Sequence, residues 1–410
     1  ISVIMFVRLY HSWLNSYLGI PRTVWFLAFV NLVNRCGGLV IGFIALYMTQ
    51  HLHLGIEQAG YAMSCFGVGT LMGAYSGGRL TDRLGYFNVM LYAMMANGLV
   101  LLSILLVHHF YTVCAAVFVL GFVSEAFRPA NSVSVMRNST HDTYTRSISL
   151  YRMSANIGWA VAPVLAGTLV VFGWHWLFWV DGLTCILAAG LLMYYKPFLN
   201  LEKPVRNEAV SSGQLPEHAE SSPLQDKAFR WFLVFTLLNA IVFMQFLWTV
   251  PVFYKEFYHW SEQQIGIMVA LNGVIVFLVE MPLIFRIEGR RPNLEMVRIG
   301  VILYALGYAS LLIPHFPWVA ATCYILMLSI GEIYVMPFSS NFTMKRSGVY
   351  NQGQYMAAYI MTYSFANTLA PLVGTQLIAR FGFSTLWGIM VLFAGASFVG
   401  FRVLSKKSDA

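Results

Sequence analysis

Runs of roughly 20 apolar residues, each followed by a short polar connection, recur twelve times along this chain. A run of about 20 residues, rising 1.5 Å per residue as a helix, crosses about 30 Å of hydrocarbon. Backbone groups inside lipid must be satisfied within the segment or by a closed barrel, so runs of this length leave one architecture, a bundle of membrane-spanning helices. The expected spans are 24–50, 57–79, 88–107, 111–136, 147–172, 175–195, 229–254, 263–285, 294–313, 317–341, 351–379 and 383–402. With 58% hydrophobic and 10% charged residues, the chain is far from a soluble domain, where about a quarter of positions are charged. The fold class is therefore an all-α membrane protein.

A polar stretch at 197–228, punctuated by Pro204, Pro216 and Pro223, separates the sixth run from the seventh. It reads as a cytoplasmic linker between two six-helix bundles, 1–196 and 229–410. Orientation follows from the basic residues. Of the 25 lysines and arginines, all but Lys255, Arg380, Arg35 and Arg128 fall at one set of connections, which places that side and both termini in the cytoplasm. The net charge of +8 thus reports topology and contact with anionic lipid, not nucleic acid. The first run is expected to be a retained helix, since it is too long for a cleavable signal and lacks a small-residue cleavage pattern. The five cysteines lie in apolar runs without metal spacing and read as free buried thiols. A plasma membrane, bacterial and inner, is the expected location.

Chemistry is expected where charge violates the hydrocarbon, because a charge near mid-membrane costs a few kcal/mol and persists only facing a bundle interior or a wet cavity. Arg35 in span 1, with Asn31 and Asn34 one turn away, suits a cavity wall, or braces helix 1 against a carboxylate. Glu125 and Arg128 in span 4 share a helix face. They form either a self-neutralising pair or a site in which Arg128 holds a substrate carboxylate while Glu125 exchanges a proton. Glu332 in span 10 has no basic residue within one turn and is the leading proton carrier. Glu280 in span 8 is a second candidate, with a structural pairing to Arg286 as its alternative. Asp181 is read as interfacial. Tyr151, Asn156, Gln245, Trp248, Tyr359 and Tyr363 are the aromatic and amide candidates for the substrate cavity, the two last lying on one face of span 11 with Tyr355.

The pattern Gly78-x-Leu80-x-Asp82-Arg83-x-Gly85 resembles the connection between helices 2 and 3 of the major facilitator superfamily. The resemblance implies two pseudo-symmetric bundles of six helices and a latch made by Gly78, Asp82, Arg83 and Gly85 that breaks as the open side changes. A weak internal repeat agrees, with Ala162-Pro163 matched by Ala370-Pro371 and Glu125 before Pro129 matched by Glu332 before Pro337. Within the superfamily, Gly158-x3-Ala162-Pro163-x2-Ala166-Gly167 is similar to the helix-5 motif of drug:proton antiporters, with alanine in place of two glycines. Phe127-Arg128-Pro129 and Tyr151-x4-Asn156 resemble proton-dependent oligopeptide transporters. Their acidic helix-1 motif would fall on Asn31-x2-Asn34-Arg35, where both acids are amides.

These readings lead to a proton-coupled secondary transporter working by alternating access, first as an exporter of drug-like compounds. Uptake of peptide-like or carboxylate-bearing solutes is the alternative, and a proton-independent facilitator or transporter-like receptor is an alternative of another class. No enzymatic activity, no metal and no cofactor beyond the proton as coupling ion are expected. The partners expected are a small-molecule substrate and the lipid bilayer, the chain acting as a monomer.

Overall fold

The computed structural model describes residues 13, 15–107, 109–140, 142–201, 222–313, 316–347 and 351–408. Most of the expected linker, 202–221, lies outside the described residues. The described chain is helical: α1 (Arg22–Cys36), α2 (Val40–Leu46) running into a π turn (Tyr47–His51), α3 (Ile56–Leu84), α4 (Tyr86–Ile104), α5 (Phe110–Arg137), α6 (Tyr144–Phe172) and α7 (Trp174–Tyr194). It continues with α8 (Lys227–Trp248), α9 (Val250–Glu256), α10 (Glu262–Ile287), α11 (Asn293–Leu311), α12 (Pro317–Arg346) and α13 (Gln352–Ser408). Among the described residues, nine helices are long and apolar enough to cross a membrane. The last is two helices in one, because Gly382 adopts φ 78°, a left-handed conformation that breaks the helical path.

Two departures from the expected spans carry physical meaning. Span 1 is not continuous. Gly37 and Gly38 interrupt it, and the Leu39 and Val40 amides turn to the Asp181 carboxylate, each at 3.0 Å, in place of carbonyls of α1. Span 2 is longer than expected. The glycine-rich stretch at 77–84 stays helical, and the turn is made at Gly85 alone, with φ 81°.

Contacts divide the chain into two compact units, Ile20–Glu220 with Ser347–Ile360, and Ile1–Gly19 with Ser221–Arg346 and Met361–Ala410. By contacts 347–360 groups with the first half of the chain, and the described residues before Ile20 group with the second.

In the first unit, α3 lies against α5 along Gly69, Gly73 and Gly77. A β-carbon on these glycines would stand 2.2, 2.0 and 2.4 Å from the backbone oxygens of Phe118, Phe122 and Ala126. Helices gain little from the hydrophobic effect inside lipid, so close backbone approach across such a stripe supplies the packing instead. In the second unit, α12 returns its C-terminal Arg346 to α8, where Arg346 Nε and Nη2 donate to Asp226 at 2.7 and 3.0 Å. Asp226 in turn caps α8 by accepting from the Ala228 and Phe229 amides. The core near Trp387 is aromatic, and its tyrosines are chained: Tyr324 donates to the Tyr308 hydroxyl at 3.0 Å, and Tyr308 to the Val242 carbonyl at 2.7 Å.

Candidate functional site

The end of α3 meets the start of α13. Asp82 is buried, and its Oδ1 and Oδ2 accept from the Gly353 and Gln354 amides at 2.7 and 3.0 Å. The first amides of a helix have no intrahelical acceptor, and a carboxylate there also meets the positive end of the helix dipole. The approach depends on two glycines, since a β-carbon on Gly78 would sit 2.6 Å from the Gly353 oxygen and one on Gly353 would sit 2.3 Å from the Gly78 oxygen. Arg137 at the end of α5 adds a bond from Nε to Gln352 Oε1 at 3.2 Å. Of the residues expected to form a latch, Gly78 and Asp82 lie at this contact and Gly85 makes the turn after α3, whereas Arg83 is exposed and makes no bond to the described residues. It points away because it follows Asp82 on the helix by 100°.

Inside the first unit, Tyr151 is the hub of a polar network. Its hydroxyl donates to Asn31 Oδ1 at 2.5 Å and accepts from Asn131 Nδ2. Asn31 Nδ2 donates to Ser154 Oγ at 2.9 Å. The network joins α1, α5 and α6. Asn156, expected beside Tyr151, is exposed and takes no part. Two residues of a helix five apart do not share a face, which the motif likeness had hidden.

Beyond it lies a cavity of about 50 Å³ whose wall includes Asn34, Arg35, Asn97, Ser124, Asp181 and Cys185. Asn34 and Asn97 both donate to the Cys185 sulfur, at 3.4 and 3.3 Å, and Ser124 donates to Asn97 Oδ1 at 2.8 Å. Gly158 admits α1 here, because a β-carbon at that position would be 2.4 Å from Arg35 Cβ. Arg35 thus lies in the wall of this polar cavity. Asp181, read from sequence as interfacial, is only 3% exposed and faces the same cavity.

Arg128 does not reach outward for a partner. Its Nη1 donates to both oxygens of Glu125, at 3.3 and 3.1 Å, one turn back on α5. Tyr151 and Tyr359 lie within electrostatic range of it. The two side chains that the sequence places on one helix face pair with each other in this structure.

In the second unit Glu332 is buried on α12 and accepts from Asn272 Nδ2 at 3.3 Å, the same amide that donates to Ser329 Oγ at 3.0 Å. Glu280 is 2% exposed, with Tyr17 in electrostatic range. Gln245, expected to face substrate, is fully buried: Nε2 donates to the Ala370 carbonyl at 3.0 Å and Oε1 accepts from Thr249 at 2.7 Å. It pins α8 to α13 where Gly374 leaves room. Trp248 is 46% exposed and donates to Asn367 Oδ1 at 3.1 Å, so its ring remains available. Tyr363 packs on Ala240, Ile241, Ala366 and Ala370, whereas Tyr359, of the first unit, is buried. Among the described residues, no group of three or more His, Cys, Asp and Glu is placed to hold a metal ion.

The family model described as Major Facilitator Superfamily matches residues 24–371. The chain belongs to the major facilitator superfamily. It is 23% identical over 399 residues to a Na(+), Li(+), K(+)/H(+) antiporter of Planococcus maritimus, covering 91% of this chain and 92% of that protein. It is also 23% identical over 319 residues to a quinolone resistance transporter of Acinetobacter baumannii, covering 71% and 72%. Its fold is that of the E. coli fucose:proton symporter, with a TM-score of 0.71 at 14% identity, over 93% of this chain and 98% of that one. This major facilitator chain is a multi-pass membrane transporter.

Proposed function

We propose that the chain is a proton-coupled secondary transporter that exports small organic compounds in exchange for protons by alternating access. The observation that carries this reading is Glu332, a carboxylate 7% exposed within the membrane-spanning helix α12, where it accepts from the Asn272 amide. A buried carboxylate in a membrane-spanning helix is costly to keep and marks a candidate group for proton coupling. Glu125, paired with Arg128, is the second candidate. Glu280 is the reserve candidate.

The drug-export reading draws support from the quinolone resistance relative. A second reading, monovalent cation in exchange for protons, is favoured by the antiporter relative that spans 91% of the chain. A substrate carboxylate on Arg128, the core of the uptake alternative, would have to displace Glu125. Arg35, Asn34, Trp248 and Tyr359 are the substrate contacts this reading keeps, and the latch at Asp82 is the element whose opening accompanies the change of side.

The test is made in everted bacterial membrane vesicles holding an acid interior, with a quenched acridine dye as the reporter. Norfloxacin, ethidium, NaCl, LiCl and KCl are added separately. Dye recovery with norfloxacin or ethidium, dependent on the expressed chain, is the result expected. Recovery with the salts alone moves the substrate to monovalent cations, and recovery with none of the probes defeats proton exchange for both classes.

A further inference from the structure

Proton coupling, on which this inference rests, needs groups buried in the membrane that bind and release a proton. The first unit holds one with no role so far in transport. Asp181 lies seven residues into α7 from Trp174, about 10 Å at 1.5 Å per residue. It is buried among other helices of the first unit. One carboxylate oxygen, Oδ2, accepts from the Leu39 and Val40 amides; the other, Oδ1, meets the Cys185 thiol at 3.8 Å, a weak donor at long range. Asp181 also lines the cavity of about 50 Å³, and a polar space of that size can hold a water. Asn34, Asn97 and Ser124 in its wall provide that water with polar neighbours.

We propose that Asp181 is a proton-binding residue of the transport cycle, loaded through the cavity it lines, and that its protonation controls how firmly the second segment of helix 1 is held to α7. The step is proton transfer alone: an O–H bond of a hydronium in the cavity breaks as the Oδ1–H bond forms, and water remains. Its mechanical consequence follows from the break at Gly37 and Gly38. In a continuous helix the Leu39 and Val40 amides would bond to the Arg35 and Cys36 carbonyls four residues back. Here both bond to Asp181, the Leu39 amide sharing its hydrogen with the Gly37 carbonyl at 2.6 Å, so the start of α2 is tied to a carboxylate from another helix. Bonds to an ionised acceptor are about twice as strong as neutral ones, so protonation weakens both anchors together.

Arg35 stands in the wall of the same cavity, and Cys185 is the titratable neighbour on α7 itself. From α4 come no Asp, Glu, Lys, Arg or His; its Tyr86 is engaged with Asn200 at the helix end, and Tyr92 is exposed. On the π turn after α2, Tyr47 packs on Phe178 and is stacked by His51. On α5, Glu125 is held by Arg128, and on α6 Tyr151 is held by Asn31, near Arg152 in sequence.

The experiment follows hydrogen exchange of the segment 37–51 in the full-length protein in lipid nanodiscs over a series of pH values, corrected for intrinsic exchange. In the parent, protection of this segment should fall about tenfold as pH drops, whereas Asp181→Asn should be weakly protected at every pH and Asp181→Glu should titrate with a displaced midpoint. Vesicle transport of norfloxacin and of NaCl is read on the same three proteins, with gradient-driven exchange lost in Asp181→Asn and kept in Asp181→Glu. Protection that does not change with pH in the parent overturns the proposal without need of any variant. A parent that dissipates the gradient, with Asp181→Asn equal to it, defeats the Asp181 assignment and leaves proton coupling standing. A parent that dissipates no gradient with any probe defeats proton coupling itself, and the proposal with it.

Discussion

Glu125 on α5 and Glu332 on α12 stand at matching points of the two halves, each shortly before an intrahelical proline, yet their surroundings are opposite. Glu125 is gripped by an arginine three residues on, while Glu332 is met by an amide from a different helix. Glu125 makes its bond within one helix, and Glu332 accepts across to a second. The difference teaches that the internal repeat matches where a carboxylate is placed and not what it touches.

The sharpest way to break this comparison is to neutralise each acid in turn. Glu332→Gln is expected to cut gradient-driven exchange by at least about tenfold, equivalent to about 1.4 kcal/mol, while exchange without a gradient persists. Glu125→Gln should leave gradient coupling in place. Its cost is structural and small, about 1 kcal/mol or less, because the Arg128 side chain retains 40% exposure and solvent screens the pair. Dye recovery in the vesicle assay checks both. If Glu125→Gln uncouples and Glu332→Gln does not, the roles of the two halves are exchanged.

How the sequence was legible follows the same divide between local and assembled features. Asp82 and Gly78 could be read because the latch is a short pattern in which spacing carries the geometry. The fold could be read because bilayer length is imprinted on every span. The partners of Asp181 were not legible, since they are amides at a break in helix 1 that only the assembled helices bring to it. A Gly-Gly pair within an apolar run does not announce such a break, because it equally serves close packing, as Gly69, Gly73 and Gly77 do. Gln245 was taken for a substrate contact on its polarity alone. Only the juxtaposition with Ala370 and Thr249 shows that its bonding capacity is spent on joining helices.

The latch supplies a second, intermediate test, of whether charge in the first unit acts by holding helices. Asp82→Asn keeps the shape but removes the charge from two helix amides, a loss of about 2 kcal/mol. Hydrogen exchange across 351–360 should quicken by about tenfold or more at Gly353 and Gln354, and vesicle transport should fall several-fold. Arg83→Gln should change neither, since Arg83 is exposed and apart from the latch. An Arg83 effect as large as that of Asp82 would return the arginine to the mechanism.

The smallest expected effect sharpens the comparison most finely. Tyr151→Phe removes the one hydroxyl that both donates to Asn31 and accepts from Asn131. Two amides then lose a partner in a buried setting, which costs about 1–2 kcal/mol and lowers the apparent Tm by about 2–4 °C. If the first unit's Tyr151 network is a brace, gradient coupling survives this loss, with a transport rate within about twofold of the parent once protein amount is matched. Tyr151 lies in electrostatic range of both Arg35 and Arg128, however. Removal of its hydroxyl would therefore also disturb any proton path that runs between them. A Tyr151→Phe protein that is stable but uncoupled would show that the first unit moves protons through this network, and Glu332 would lose its singular place.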